Sequence, residues 1–490
     1  MLSFTIALII LIVGYFTYSI FVERVFGADP ARKTPVMTMA DGVDYVPLPS
    51  WKIFLIQFLN IAGLGPIFGA IMGVMFGPAA FLWIVFGTIF AGAVHDYLSG
   101  MLSLRNGGAS LPELVGQQLG NGIRNTMRGF SLMLLILVGA VFVYNPADLL
   151  AMLTPDSLDK TFWIVVIFAY YMAATLLPVD KLIGRLYPLF GVALLFMAIG
   201  ILCALYVHGN AMPEIWQDFH NHTANPEATP IFPMMFVSIA CGAISGFHAT
   251  QSPMMARCLR NERHARPIFY GAMATEGIVA LIWAAAAITF TGGYTQLSET
   301  LGGGSPAVLV NNISKSWLGT AGGILAILGV IAAPITSGDT ALRSARLIAS
   351  DFLHIPQKSI GRRLAVSIPI FALCAVIMMI PYDALWRYFA WCNQVLAVFT
   401  LWTLTVYLAR EHRLYFITLL PAMFMTAVTT TYIVFAPEGI GAILIPSLGY
   451  GITYTIAVAT GCGLAFAFYA AFERWRRGIP STSVQSAVSA

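Results

Sequence analysis

The chain has 490 residues, 58% of them apolar and only 10% charged, where an ordinary soluble domain carries about a quarter charged residues. That balance describes a polytopic membrane protein. The net charge of +4 is small and its arginines gather in a few loops, which speaks for membrane orientation and against nucleic-acid binding.

Runs of about 18 or more apolar residues are long enough to cross the hydrocarbon core. Thirteen occur: residues 2–22, 51–76, 79–102, 125–144, 161–179, 186–207, 231–258, 267–291, 317–338, 363–381, 384–409, 413–436 and 447–472. The first lacks a basic start and an A-x-A-like cleavage site, so it reads as a retained helix rather than a signal peptide. Basic residues alternate between loops. Arg24, Arg32, Lys33 and Lys52 flank the second run, and Arg105, Arg124 and Arg128 follow the third. Lys181 and Arg185 follow the fifth, and Arg257, Arg260, Arg263 and Arg266 the seventh. Arg343, Arg346, Lys358, Arg362 and Arg363 follow the ninth, Arg410 and Arg413 the eleventh, and Arg474, Arg476 and Arg477 the last. The intervening loops are poor in both. The positive-inside rule then places the N-terminus outside and the C-terminus in the cytoplasm.

Two runs are interrupted. Residues 60–66, NIAGLGP, and residues 239–253, IACGAISGFHATQSP, collect glycine and proline where a plain spanning helix would not. Broken helices are tolerated at membrane depth where they line a cavity, which is where transporters hold substrate and ions. We read the pair as facing one site, with close helix packing as the alternative. The helices starting near 51, 79, 125, 161 and 186 have counterparts near 231, 267, 317, 363 and 384, each set opening on a broken helix. Five is odd, so the second set is inverted: the LeuT-like five-plus-five repeat. The all-α chain then divides into an extra helix at 1–22, a cytoplasmic segment at 23–50, a first repeat at 51–207 and an external loop at 208–230. A second repeat at 231–409, two further helices at 410–472 and a cytoplasmic tail at 473–490 complete it. Residues 302–306 read as a flexible outer turn, and residues 481–490 as a disordered end.

Polar groups inside spanning helices are costly and mark function by default. Glu276 falls near mid-bilayer, where an isolated carboxylate is expensive, so it is a candidate proton carrier; a structural hydrogen bond is the alternative. His95 and Asp96, toward the cytoplasmic end of the third run, suit proton exchange or a solvated interfacial anchor. His248 lies within the second break and is placed to meet substrate or proton. Thr336, Ser337 and Asp339 offer oxygens for H⁺ or Na⁺, although Asp339 has Arg343 at i+4 as a ready partner. Asn60, Gly63, Gly65, Ser245 and Gly246 form the breaks and would line the substrate, with Asn393 and Gln394 as cavity lining or as polar glue between helices. His220 and His222 can be a metal pair or simply loop residues. No C-x-x-C, HExxH or GxSxG pattern occurs, so neither metal nor cofactor is expected. An intramembrane enzyme using His95, Asp96 and His248 is the rival reading.

The segments DPARKTPVMTMADGVDYVP from Asp29, IAGLGPIFG from Ile61, FAGAVHDYLSGMLSLRNGGASLPELV from Phe90, FPMMFVSIACGAISGFHA from Phe232, YGAMATEG from Tyr270 and CNQVLA from Cys392 follow in the order seen in carbon starvation protein A. On these the chain resembles that family over residues 29–400. The resemblance implies an inner-membrane uptake system for peptides or, with protons, for pyruvate during nutrient limitation, in the LeuT-like class. Two positions depart from it: Ile56-Gln57 stand where the family usually has two histidines, and His95 stands where it typically has glutamine.

Overall fold

The structure, a computed structural model, describes residues 1–42, 44–176, 183–208, 212–302, 306–357, 359–380 and 382–478; the expectations for Lys181, Lys358, the turn at 303–305 and the end at 481–490 fall outside them. No strand occurs among the described residues. Helix α1 (Leu2–Phe26) stops at Gly27, whose φ of 70° sits in the left-handed region that glycine adopts without strain. The first broken span is α2 (Ser50–Ile61) and α3 (Gly65–Phe76), which meet at 54°. Then come α4 (Ala79–Arg105), α5 (Leu111–Leu119), α6 (Asn121–Leu153), α7 (Lys160–Leu176) and α8 (Ile183–Val207). A short helical turn over 231–238 leads through a non-helical stretch to α9 (Gly246–Ala256) and α10 (Glu262–Thr291). Beyond α11 (Tyr294–Gly302) run α12 (Pro306–Ala326), α13 (Ala332–Leu353), α14 (Ile360–Ile377), α15 (Tyr382–Arg410), α16 (Phe416–Phe435) and α17 (Gly441–Arg477).

Nine of the described helices are long and apolar enough to cross a membrane, or ten when α2 and α3 count as one span. Thirteen apolar runs do not give thirteen continuous spans. The described part of the helix at 161–179 is short, the run at 231–258 breaks, and the run at 317–338 is divided at Gly319 (φ 61°) and at the irregular turn Ile327–Ile331. Pro253 belongs inside α9 rather than to the break, which occupies 239–245.

The two ends of α1 fix which loops share a face. At its start, the amides of Leu2 and Ser3 donate to the Glu214 carboxylate at 2.9 and 2.7 Å. At its end, the Asp29 amide donates to Glu262 at 2.8 Å, and Glu262 also accepts from Arg105 at 2.9 and 3.1 Å. The 25 residues of α1 measure roughly 37 Å at 1.5 Å per residue. Residues 212–230 and the loop at 257–266 therefore lie at opposite ends of the bundle. Arg413 donates to the Val25 carbonyl and Arg410 to the Gln117 carbonyl, so the basic loops collect on the Glu262 face. His222 bonds Thr295 and His220 bonds Asp218 within the opposite loop.

Candidate functional site

The first break opens where Ala62, Gly63 and Leu64 interrupt the helix and free the carbonyls of Leu59 and Asn60. The Ser337 hydroxyl donates to both, at 3.2 and 3.0 Å. Asn60 and Gln57, one turn apart on α2, are fully buried, and neither amide has a hydrogen-bond partner among the described residues. A buried amide left unpaired costs about 1–3 kcal/mol. Two together are an expense that packing alone does not explain.

The second break is stitched from outside. Asn393 Oδ1 on α15 accepts from the Ser245 hydroxyl at 3.0 Å and from the Phe247 amide at 2.7 Å, satisfying a donor that the start of α9 would otherwise leave free. Its Nδ2 donates to Cys241 Sγ at 3.6 Å, and Gln394 Nε2 donates to the Phe236 carbonyl at 3.3 Å. On the other side, the Thr88 hydroxyl donates to the Gly242 carbonyl at 3.1 Å. In this conformation Asn393 acts as polar glue, with its amide oxygen fully engaged. The breaks also touch each other. A Cβ on Gly65 would lie 2.1 Å from Cys241 Cβ, and one on Gly69 2.9 Å from the Ser238 carbonyl oxygen. One on Gly246 would lie 2.4 Å from the Asn393 carbonyl oxygen and one on Gly63 2.8 Å from Phe142. These glycines permit backbone to meet protein; the space beside them is not vacant.

Four titratable side chains converge next to this contact. His95 Nδ1 lies 2.8 Å from Asp96 Oδ1, His248 Nδ1 lies 2.8 Å from Asp96 Oδ2, and His248 Nε2 lies 3.5 Å from Glu276 Oε2. All four are fully buried, which corrects the expectation of a solvated Asp96. A carboxylate only accepts, so both imidazoles carry their proton on Nδ1 in the neutral state. The Nε2 of His248 is then a lone pair facing Glu276, neither of whose carboxyl oxygens has a hydrogen-bond partner among the described residues. The Nε2 of His95 has no hydrogen-bond partner among the described residues. The arrangement spans α4, α9 and α10, so it ties both halves of the chain together.

The hydroxyl and carboxylate cluster on α13 is divided. Ser337 faces the first break, while the Thr336 hydroxyl bonds back to Ala333 at 2.8 Å. Asp339 accepts from Tyr187 at 2.5 Å, and Arg343 donates to the Ala174 carbonyl at 2.7 Å. The i+4 spacing did not foretell Tyr187 as the partner, because Tyr187 comes from α8. Thr88, Cys241 and Tyr187 were missed by sequence reasoning, although a lone polar residue in an apolar run would have flagged Thr88. Among the described residues no group of three or more His, Cys, Asp or Glu side chains is arranged to hold a metal ion.

The family model described as carbon starvation protein CstA matches residues 1–156, 148–317 and 291–432. An uncharacterized membrane protein of Haemophilus influenzae is 44% identical over 352 residues, covering 62% of this chain and 95% of that protein. The pyruvate/proton symporter BtsT of Escherichia coli is 28% identical over 342 residues, 55% of this chain and 46% of its own length. The peptide transporter CstA of Bacillus subtilis is 29% identical over 342 residues, 56% of each. The match thus spans about half the length of these two transporters. A manganese transporter of Eremococcus coleocola shares the fold, with a TM-score of 0.52 over 89% of this chain and 99% of that one at 12% identity.

Proposed function

The chain belongs to the carbon starvation protein CstA family, and from that membership we propose that it is a secondary active transporter importing a pyruvate-like carboxylate or short peptides with protons under nutrient limitation. The observation that carries the proton is the buried His95–Asp96–His248–Glu276 cluster. Transfer between its last two members is a single exchange: the Glu276 Oε2–H bond breaks and a His248 Nε2–H bond forms. The product is an imidazolium between the Asp96 and Glu276 carboxylates. Asp96 is a positioning residue that holds His248 with its lone pair toward Glu276. The substrate binds where the two breaks meet, against Asn60, Gly63, Gly65, Ser245, Gly246 and His248, in a state in which the breaks part from the close contact seen here; half-helix ends there favour a carboxylate. Asn393 and Gln394 hold the second break open to it.

The broken α2–α3 pair and the broken segment leading into α9 open the two members of a five-plus-five inverted repeat. The protein lies in the bacterial cytoplasmic membrane with the Glu262 face inside. Thr336, Ser337 and Asp339 are the alternative coupling site. Ser337, beside two freed carbonyls, favours Na⁺ there. The Escherichia coli and Bacillus subtilis relatives are transporters, which leaves the enzyme reading of His95, Asp96 and His248 without support. Proteoliposomes given labelled pyruvate or dipeptides, with pH and Na⁺ gradients set independently, test the proposal. Accumulation on an inward proton gradient is expected. Accumulation only on Na⁺ would move coupling to Ser337, and accumulation of neither substrate on any gradient would end the reading.

A further inference from the structure

Between α15, α16 and α17, on the outer flank of the bundle, runs a groove of about 860 Å³. Trp391, Val398, Trp402, Leu464 and Phe468 make its walls apolar. Helix α17 packs chiefly along α16, and only 22% of its apolar window is buried, so the groove opens sideways into the bilayer. Its end at the face of the basic loops is different in kind. There Arg410 lies over the Trp475 ring at 5.4 Å and donates to the Gln117 carbonyl, the Gln118 side-chain oxygen and the Gln118 carbonyl, each at 3.1 Å. All three acceptors are neutral, so the guanidinium is held in place, and Arg410 makes no ion pair among the described residues. Arg474 and Arg477 are exposed on the last turn of α17, the turn that carries Trp475, whereas the neighbouring Glu473 is taken up by Arg476 at 2.7 Å.

We propose that this groove is a binding site for one anionic phospholipid, its acyl chains along Trp402 and Phe468 and its phosphate at Arg410, Arg474 and Arg477. Basic pockets at the cytoplasmic end of spanning helices suit anionic headgroups, and tryptophan at that level sits at the interface. Charge selects this occupant over a second copy of the chain. A copy related by a two-fold axis along the membrane normal would bring its own three arginines to the same rim. The lipid fills the open side of α17 where it meets α15 through Trp402 and Phe468.

Native mass spectrometry of the full chain, released from detergent with equal amounts of phosphatidylglycerol and phosphatidylcholine, tests the site. One phosphatidylglycerol should be retained in preference by about 10-fold or more, since each arginine near the headgroup contributes roughly a factor of five. Arg410→Gln with Arg474→Gln and Arg477→Gln should abolish the preference. Leu464→Trp, which fills the groove and leaves the charges intact, should lower retention of both lipids. Each variant is scored only as a monodisperse species. Equal retention of both lipids by the wild type means annular contact only and overturns the proposal. So does an unchanged preference in the triple variant, or a dimer mass that Leu464→Trp dissolves.

Discussion

In the proposed coupling, one proton passes between Glu276 Oε2 and His248 Nε2, two atoms 3.5 Å apart. Glu276→Gln replaces the carboxyl by an amide of the same shape that neither accepts nor releases a proton at this site. It is expected to keep substrate exchange in counterflow and to lose gradient-driven accumulation, down to the level of vesicles treated with a protonophore. Normal accumulation by Glu276→Gln would make the carboxyl structural. Asp96→Asn separates positioning from packing. Its amide offers His248 a donor as well as an acceptor, so the Nδ1–H tautomer is no longer selected. Accumulation should fall, and its pH profile should shift, while exchange survives. An unshifted profile at reduced rate would assign Asp96 to stability alone. His95→Gln keeps a donor to Asp96 and is expected to retain accumulation, because His95 does not lie between His248 and Glu276.

At the scale of elements, the breaks are maintained by small residues on one side and amide side chains on the other. Gly65→Ala should fail to transport because its new methyl collides with Cys241 Cβ at 2.1 Å. Adding Cys241→Gly removes that atom and leaves the nearest contact at 3.4 Å, so the pair should recover insertion and uptake together. If Gly65→Ala is inactive with or without Cys241→Gly, the glycine serves substrate rather than packing. Asn393→Ala strips the acceptor from Ser245 and from the Phe247 amide, and is expected to cost about 1–3 kcal/mol for the buried donor left behind. Gln394→Ala loses a single contact of 3.3 Å and should cost less. Thermal unfolding of both variants in one detergent ranks them, and an equal or inverted order would remove the capping role of Asn393.

For the whole molecule, α1 acts as a measure between two anchored faces. Cysteines placed at Gln217 and Arg263, both exposed, should label with an impermeant maleimide from opposite sides of the membrane. Labelling of both from one side would dissolve the helix assignment. Glu262 is the buried centre of the inner latch, with Arg105 and the Asp29 amide upon it. Removing one partner of such a pair leaves a charge uncompensated, and Glu262→Ala is expected to destabilise by about 3–5 kcal/mol. A melting temperature in detergent unchanged from wild type would show the latch to be solvated.

Apolar runs, the alternation of arginines and the two glycine-rich interruptions were legible without coordinates, because bilayer thickness and the cost of unpaired backbone act on local sequence. Glu276 and His248 were also legible as candidates, since a polar group in an apolar run stands out. The partners were not. Asp96 holding His248, Asn393 capping α9, Tyr187 reaching Asp339 and Cys241 meeting Gly65 join residues roughly 150 positions apart or more. Periodicity along one helix specifies which face is apolar, but several neighbours could satisfy that face equally well. Which of them does so was decided only when the broken helices were packed, because each freed carbonyl and amide had to find the one donor or acceptor within about 3 Å.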